Sequence, residues 1–147
     1  MKNLLIDIFI ITYELLGDLI YEHKGKITGQ RVLDTEGPKM ETTFSGSAKY
    51  RGTDGTEIGT YRSVYRPEGV LYGEGQGVIT TMDGEIATWT GSGIGRFTGQ
   101  GKIRFHGPLL YRTYSTGKLA FLNNLVGVYE TQIDENQNFL YKVWEWK

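Results

Sequence analysis

The chain has 147 residues, 16 basic and 17 acidic side chains, a formal net charge of -1 and no cysteine. That length suits one domain, residues 1–147, with a core that needs no staple. The absent cysteines exclude disulfides, thiolate metal sites and cysteine nucleophiles, and favour the cytoplasm as compartment, while the charge balance shows no basic excess that would point to nucleic acid.

Twenty-one glycines and ten tyrosines against three prolines suit a chain of many turns and sharply bent strands, so the fold class expected is all-β. The exception is the start, MKNLLIDIFIITYELLGDLI. Its apolar residues recur at three- and four-residue steps (Leu4, Leu5, Ile8, Phe9, Leu15, Leu16) with Asp7, Glu14 and Asp18 opposite, which predicts an amphipathic helix over residues 1–17. Asp7 interrupts the run and no small-residue cleavage site follows, so a signal peptide or bilayer span is not expected. The polar face is acidic, which disfavours a membrane surface as partner; the helix would plug a barrel end or pair two copies.

From residue 18 onward the period is two. An early extended segment surrounds IYEHKGKITGQRVL. METTFSGSAKYRG alternates Met40, Thr42, Phe44, Gly46, Ala48 and Tyr50 on one face with charged and polar residues on the other, the pattern of a half-buried strand. A turn is expected at Thr53–Gly55, a strand over 56–66, a turn at 67–69, and a strand over 70–81. Asp83-Gly84 supplies a hairpin loop. The returning strand over 85–99 is followed by GKIRFHG, LLYRTYS, KLAFLNN with LVGVYETQI, and NFLYKVWEWK. Eight to nine strands at this spacing predict an antiparallel barrel or sandwich. The segments around Gly84 and Gly117 share a weak repeat, a β-meander used twice.

Two strands carry glycine at alternate positions: Gly73, Gly75 and Gly77, then Gly91, Gly93 and Gly95, with Gly99 and Gly101 beyond. Each stripe clears one face of side chains, which allows tight coiling or close approach of another element. The stripes either line the inner wall of a barrel or face out beneath aromatic side chains. G-x-G-x-G followed by another strand is not a dinucleotide loop, which needs G-x-G-x-x-G before a helix; no cofactor motif is present.

The run GVLYGEGQGVITTMDGEIATWTGSGIGRFTGQGKI joins a glycine-broken strand, an acidic hairpin and a Gly-x-Gly-x-Phe-x-Gly return through Gly93, Gly95, Phe97 and Gly99. It resembles the allene-oxide-cyclase-like barrels, a dirigent- or calycin-type group. The resemblance covers about thirty-five residues and implies an eight-stranded barrel with an apolar cavity. Some similar proteins cyclise or isomerise a bound hydrophobic molecule with a carboxylate near one end of the cavity. Tyr21-Glu22 on the first strand is similar in position to that carboxylate, although the long insertion of the plant cyclases is absent here. Fold alone does not transfer function.

His23 and His106 lack metal-ligand spacing and are expected on strand surfaces or loops, so no metal site is expected. Ser92 in GSG lacks the strand-to-helix elbow of a serine nucleophile. Tyr72, Glu74, Gln76 and Arg96 lie opposite the glycine stripes. Pointing inward, they would form a ligand site with Glu74 as general acid or base; pointing outward, they are cross-strand pairs in solvent, the orientation favoured for charged residues. Tyrosines suit an aromatic cavity with hydroxyl handles, or a dimer surface. The candidates are therefore Glu22 and Glu74 for catalysis, and Tyr21, Tyr72, Gln76, Arg96 and Tyr111 for ligand binding. The leading reading is a barrel that binds a small hydrophobic molecule. A cofactor-independent cyclase or isomerase and a side-chain-filled interaction module are the alternatives, and a homodimer or homotrimer is the assembly expected under any of the three.

Overall fold

The structure is a computed structural model that describes residues 16–147. Eight strands follow one another: β1 (Leu16–Asp34), β2 (Lys39–Tyr50), β3 (Thr53–Tyr65), β4 (Leu71–Thr81), β5 (Ile86–Gly99), β6 (Lys102–Thr113), β7 (Val126–Ile133) and β8 (Asn138–Trp146). Each pairs antiparallel with the next, and β8 returns to pair with β1, so the sheet closes into a barrel. Closure leaves no edge strand with unpaired backbone groups. The helix expected over residues 1–17 lies outside the described residues, except that Leu16 and Gly17 already belong to β1, where Leu16 pairs with Trp146. No described helix is long and apolar enough to cross a membrane.

Three expected boundaries move. Arg51 and Gly52 both have positive φ, 45° and 85°. They make a two-residue turn that matches strand twist, so Thr53–Gly55 is strand rather than turn. GKIRFHG and LLYRTYS form one strand, β6, that runs through Pro108. Pro108 pairs with Val128 on β7, while the ladder with β5 skips Ser92 and Gly93 beside it, because proline has no N–H to give. KLAFLNN is a loop holding a 3-10 turn, Ala120–Leu122. Leu119 and Leu122 are both fully buried, and a three-residue spacing shares a face in a 3-10 turn but not in a strand.

Those two leucines plug one end of the barrel, alongside the turns at 51–52 and 82–85. The other end carries the turns at 35–38, 66–70, 100–101 and 134–137. Inside, alternate residues of every strand converge; on β2 these are Thr42, Phe44, Ala48 and Tyr50, all buried. The outer wall carries ion pairs such as Arg31–Glu41 at 3.2 Å and Lys142–Glu22 at 3.4 Å, each worth about 0–1 kcal/mol in solvent.

The glycine stripes of β4 and β5 point inward. The reason is more specific than curvature: at several inward glycines of the barrel a neighbouring ring fills the volume that a side chain would take. A Cβ at Gly77 would overlap Trp89, one at Gly59 would overlap Phe44, and one at Gly95 would stand 2.5 Å from a ring carbon of Phe105. Gly99 and Gly101 leave the stripe and form the β5–β6 turn at φ 112° and 75°.

Candidate functional site

A polar layer lies beneath the plugged end. Tyr21 and His23 come from β1, Tyr50 from β2, Glu57 from β3, Tyr111 from β6 and Tyr141 from β8, each at an inward position of its strand. Glu57 and His23 are 0% exposed. Oε1 of Glu57 accepts hydrogen bonds from the Trp89 indole N–H (2.9 Å) and the Tyr21 hydroxyl (3.2 Å). Its Oε2 lies 2.6 Å from His23 Nδ1, a close approach whose direction misses hydrogen-bond alignment. The Tyr21 and Tyr111 hydroxyls meet at 2.6 Å.

A buried carboxyl group is tolerated only when donors meet it; here an indole N–H and a phenol hydroxyl donate to Oε1, and the His23 imidazole stands beside Oε2. Burial, reinforced by the Glu57 charge, pushes the phenols of Tyr21, Tyr50 and Tyr111 well up. For Tyr141 burial again comes first, followed by Tyr111 and Glu57. These four phenols therefore remain protonated.

Toward the far end the interior opens into an apolar cavity of about 70 Å³. Phe44, Tyr61, Trp89, Phe105, Tyr129 and Phe139 wall it, with Gly73, Gly75 and Gly91 forming one side. Trp89 and Tyr141 belong both to this lining and to the polar layer. His23 and Glu57 do not reach the cavity: Phe44, Phe139 and Tyr141 pack around the imidazole, with ring centroids at 6.1, 5.1 and 6.1 Å. The dyad thus stands one layer of rings behind the cavity floor. It can fix the floor's orientation through the Trp89 N–H, and a group in the cavity meets rings before it meets the carboxylate. Among the described residues no three His, Asp or Glu side chains converge on a possible metal position.

The expected site residues divide by face. Tyr21 and Tyr111 are brought together inside. Glu22 is outside, paired with Lys142. Tyr72 and Glu74 are also outside, where the Tyr72 hydroxyl donates to the Glu74 carboxylate, and the Arg66 guanidinium lies 4.6 Å above the Tyr72 ring. Gln76 and Arg96 are exposed on the same outer wall. His23, expected on a surface, is instead fully buried, because its β1 position shares the inward face with Tyr21. Sequence reasoning missed Glu57. The available signal was its place between Gly55 and Gly59, where a charged residue occupies the glycine register of β3.

No protein-family model and no curated protein sequence matches the chain. Solved structures do. A Clostridium acetobutylicum protein of unknown function shares 16% identity at a TM-score of 0.75, covering 88% of this chain and 98% of its own. A β-barrel-like protein from Acinetobacter baumannii shares 14% at 0.73, covering 90% and 95%. An enzyme from Penicillium herquei shares 20% at 0.64, covering 88% and 92%. The chain has the fold of a closed β-barrel. At these identities the likeness extends to the fold alone.

Proposed function

We propose that the barrel binds one compact apolar molecule in the half of its interior away from the plug. The observation that carries this reading is the cavity itself. One half of the interior is filled by leucines, phenols and the Glu57 cluster, whereas the other keeps about 70 Å³ empty between rings and bare glycine backbone. An apolar space of this kind stays dry and accepts apolar guests; an engineered cavity of about 150 Å³ holds benzene. The cavity here is about half that volume, so the guest is either smaller than benzene or extends toward the far rim. Eight-stranded barrels are wide enough to hold one small ligand.

Native mass spectrometry of freshly purified protein, followed by solvent extraction, tests the reading. The expected result is an adduct in stoichiometric amount that extracts as a small apolar compound, on a homodimer or homotrimer. A clean apo mass, together with no saturable binding of benzene or toluene, would leave the filled interaction module in its place.

A further inference from the structure

Five buried side-chain atoms of the described residues meet no hydrogen-bond partner: both ring nitrogens of His23, Oε2 of Glu57, and the hydroxyls of Tyr50 and Tyr141. His23, Glu57 and Tyr50 stand in the polar layer, outside the cavity lining. Tyr141 on β8 belongs to that lining and is only 5% exposed. Its hydroxyl is therefore the desolvated, partnerless group carried by a side chain that borders the empty space.

The neighbouring phenols do not complete it. Tyr21 gives its hydroxyl proton to Glu57, so in the 2.6 Å contact between Tyr21 and Tyr111 it is Tyr111 that donates. The Tyr141 ring packs edge-on against Tyr21, yet its hydroxyl is aligned with neither phenol. Burial, then Tyr111 and Glu57, push its pKa well up, so it holds its proton and can donate. The other polar groups of the lining are accounted for. The Trp89 N–H donates to Glu57 and the Thr131 hydroxyl to the Leu140 carbonyl, while Tyr61 and Tyr129 are only half-buried. A desolvated hydroxyl without a partner is costly.

Across the barrel from β8 lies β4, where Gly73 shows spare room on the opposite wall. A Cβ at Gly75, Gly77, Gly91 or Gly95 would stand 2.7 Å or less from a side-chain atom, whereas one at Gly73 would meet nothing nearer than 3.6 Å. Packing thus leaves space for a side chain at Gly73, and its absence keeps the cavity open there.

We propose, building on the binding reading above, that the guest is an apolar ketone or aldehyde whose body lies against the bare backbone of Gly73 and whose carbonyl oxygen accepts from the Tyr141 hydroxyl. A carbonyl suits this donor because it brings no hydrogen of its own. An alcohol sharing one bond with Tyr141 would leave one hydrogen unpaired.

Two probes of equal shape, both smaller than benzene, test this: cyclobutanone and methylenecyclobutane, which differ by C=O against C=CH2. Each is titrated into ¹⁵N-labelled wild-type protein and into Tyr141→Phe, with the glycine amides of β4 and β5 followed by NMR. The probes leave water at different cost, so the quantity read is the effect of the variant on each. Tyr141→Phe is expected to weaken the ketone about 3- to 10-fold, the worth of one hydrogen bond, and to leave the alkene within about twofold. An equal effect on both probes, no effect on either, or binding of the alkene alone would overturn the proposal while leaving a binding barrel. Absence of saturable shifts with both probes would overturn the binding reading as well. Without a guest, Tyr141→Phe should keep or raise the thermal midpoint; a fall of more than about 4 °C would show the hydroxyl to be bonded within the phenol layer and so unavailable to a guest. Gly73→Val, which fills the opposite wall, should abolish binding of both probes, and unchanged binding would contradict the placement. A further readout needs no variant: the carbonyl ¹³C resonance of cyclobutanone, extrapolated to full occupancy of the wild-type protein, should lie downfield of its position in alkane solution, and an alkane-like shift contradicts the hydrogen bond.

Discussion

Gly77 on β4 pairs with Trp89 on β5, and the side chain that one lacks is the space the other occupies. Gly77→Ala should therefore overpack the floor of the cavity and cost about 1–3 kcal/mol, read as a shift in the urea midpoint at unchanged slope. Gly29→Ala provides the contrast: nothing lies within 4 Å of its Cβ position, so the substitution should be neutral or stabilising by up to about 1 kcal/mol through the unfolded chain. Equal losses at both positions would return the stripe glycines to a role in curvature alone. At this scale the sequence was partly readable. The alternation of glycine with Trp89 and Phe97 marked a special face, but which side was inside depended on where the rings came from. Phe44, Phe105 and Tyr129 lie on β2, β6 and β7, and no local pattern ties them to their glycines. The Glu57–His23 contact was hidden for the same reason, since its partners are 34 residues apart and each alone reads as a surface strand residue.

Among the elements, the connection from β6 to β7 is the one whose form local pattern misjudged. Its alternating apolar residues suit a strand, yet it folds over the barrel end and is tied down from the neighbouring turn. The Glu85 carboxylate accepts from the Ser115 hydroxyl and from the Leu119 N–H, so one half-buried side chain anchors the segment that delivers Leu119 and Leu122. The Ser115 hydroxyl first, then the Leu119 amide, hold the Glu85 carboxyl below its ordinary value of 4.5. A lowered folded-state pKa means that this contribution is complete above the unfolded value and disappears as pH falls through the folded one. Wild type should accordingly exceed Glu85→Gln in thermal midpoint at pH 7, with the gap closing below about pH 4. A gap that stays constant down to pH 3 would show that the charge is irrelevant to the anchor. By contrast β2 was legible throughout, because every second residue from Thr42 to Tyr50 meets the interior and every other one meets solvent.

For the molecule as a whole, strand number and class follow from turn spacing and composition, whereas closure does not. It depends on β1 meeting β8, from Leu16–Trp146 to Lys26–Asn138, across nearly the full length of the chain. The cavity is still less local, being the residue left after rings from six strands have found their places. The glycine seats also bear on how such a barrel changes over generations. A ring and its glycine act as one unit, so an accepted exchange at one position requires a matching exchange at the other, and drift proceeds by pairs. Gly59→Ala alone should be destabilising because its Cβ overlaps the tip of Phe44. Combined with Phe44→Leu, which removes that tip, it should be less harmful than the sum of the two single changes by on the order of 1 kcal/mol in a double-mutant cycle; simple additivity would deny the coupling. Paired drift of this kind offers a route by which chains sharing only 14–20% identity hold to one architecture while each shapes a different hollow.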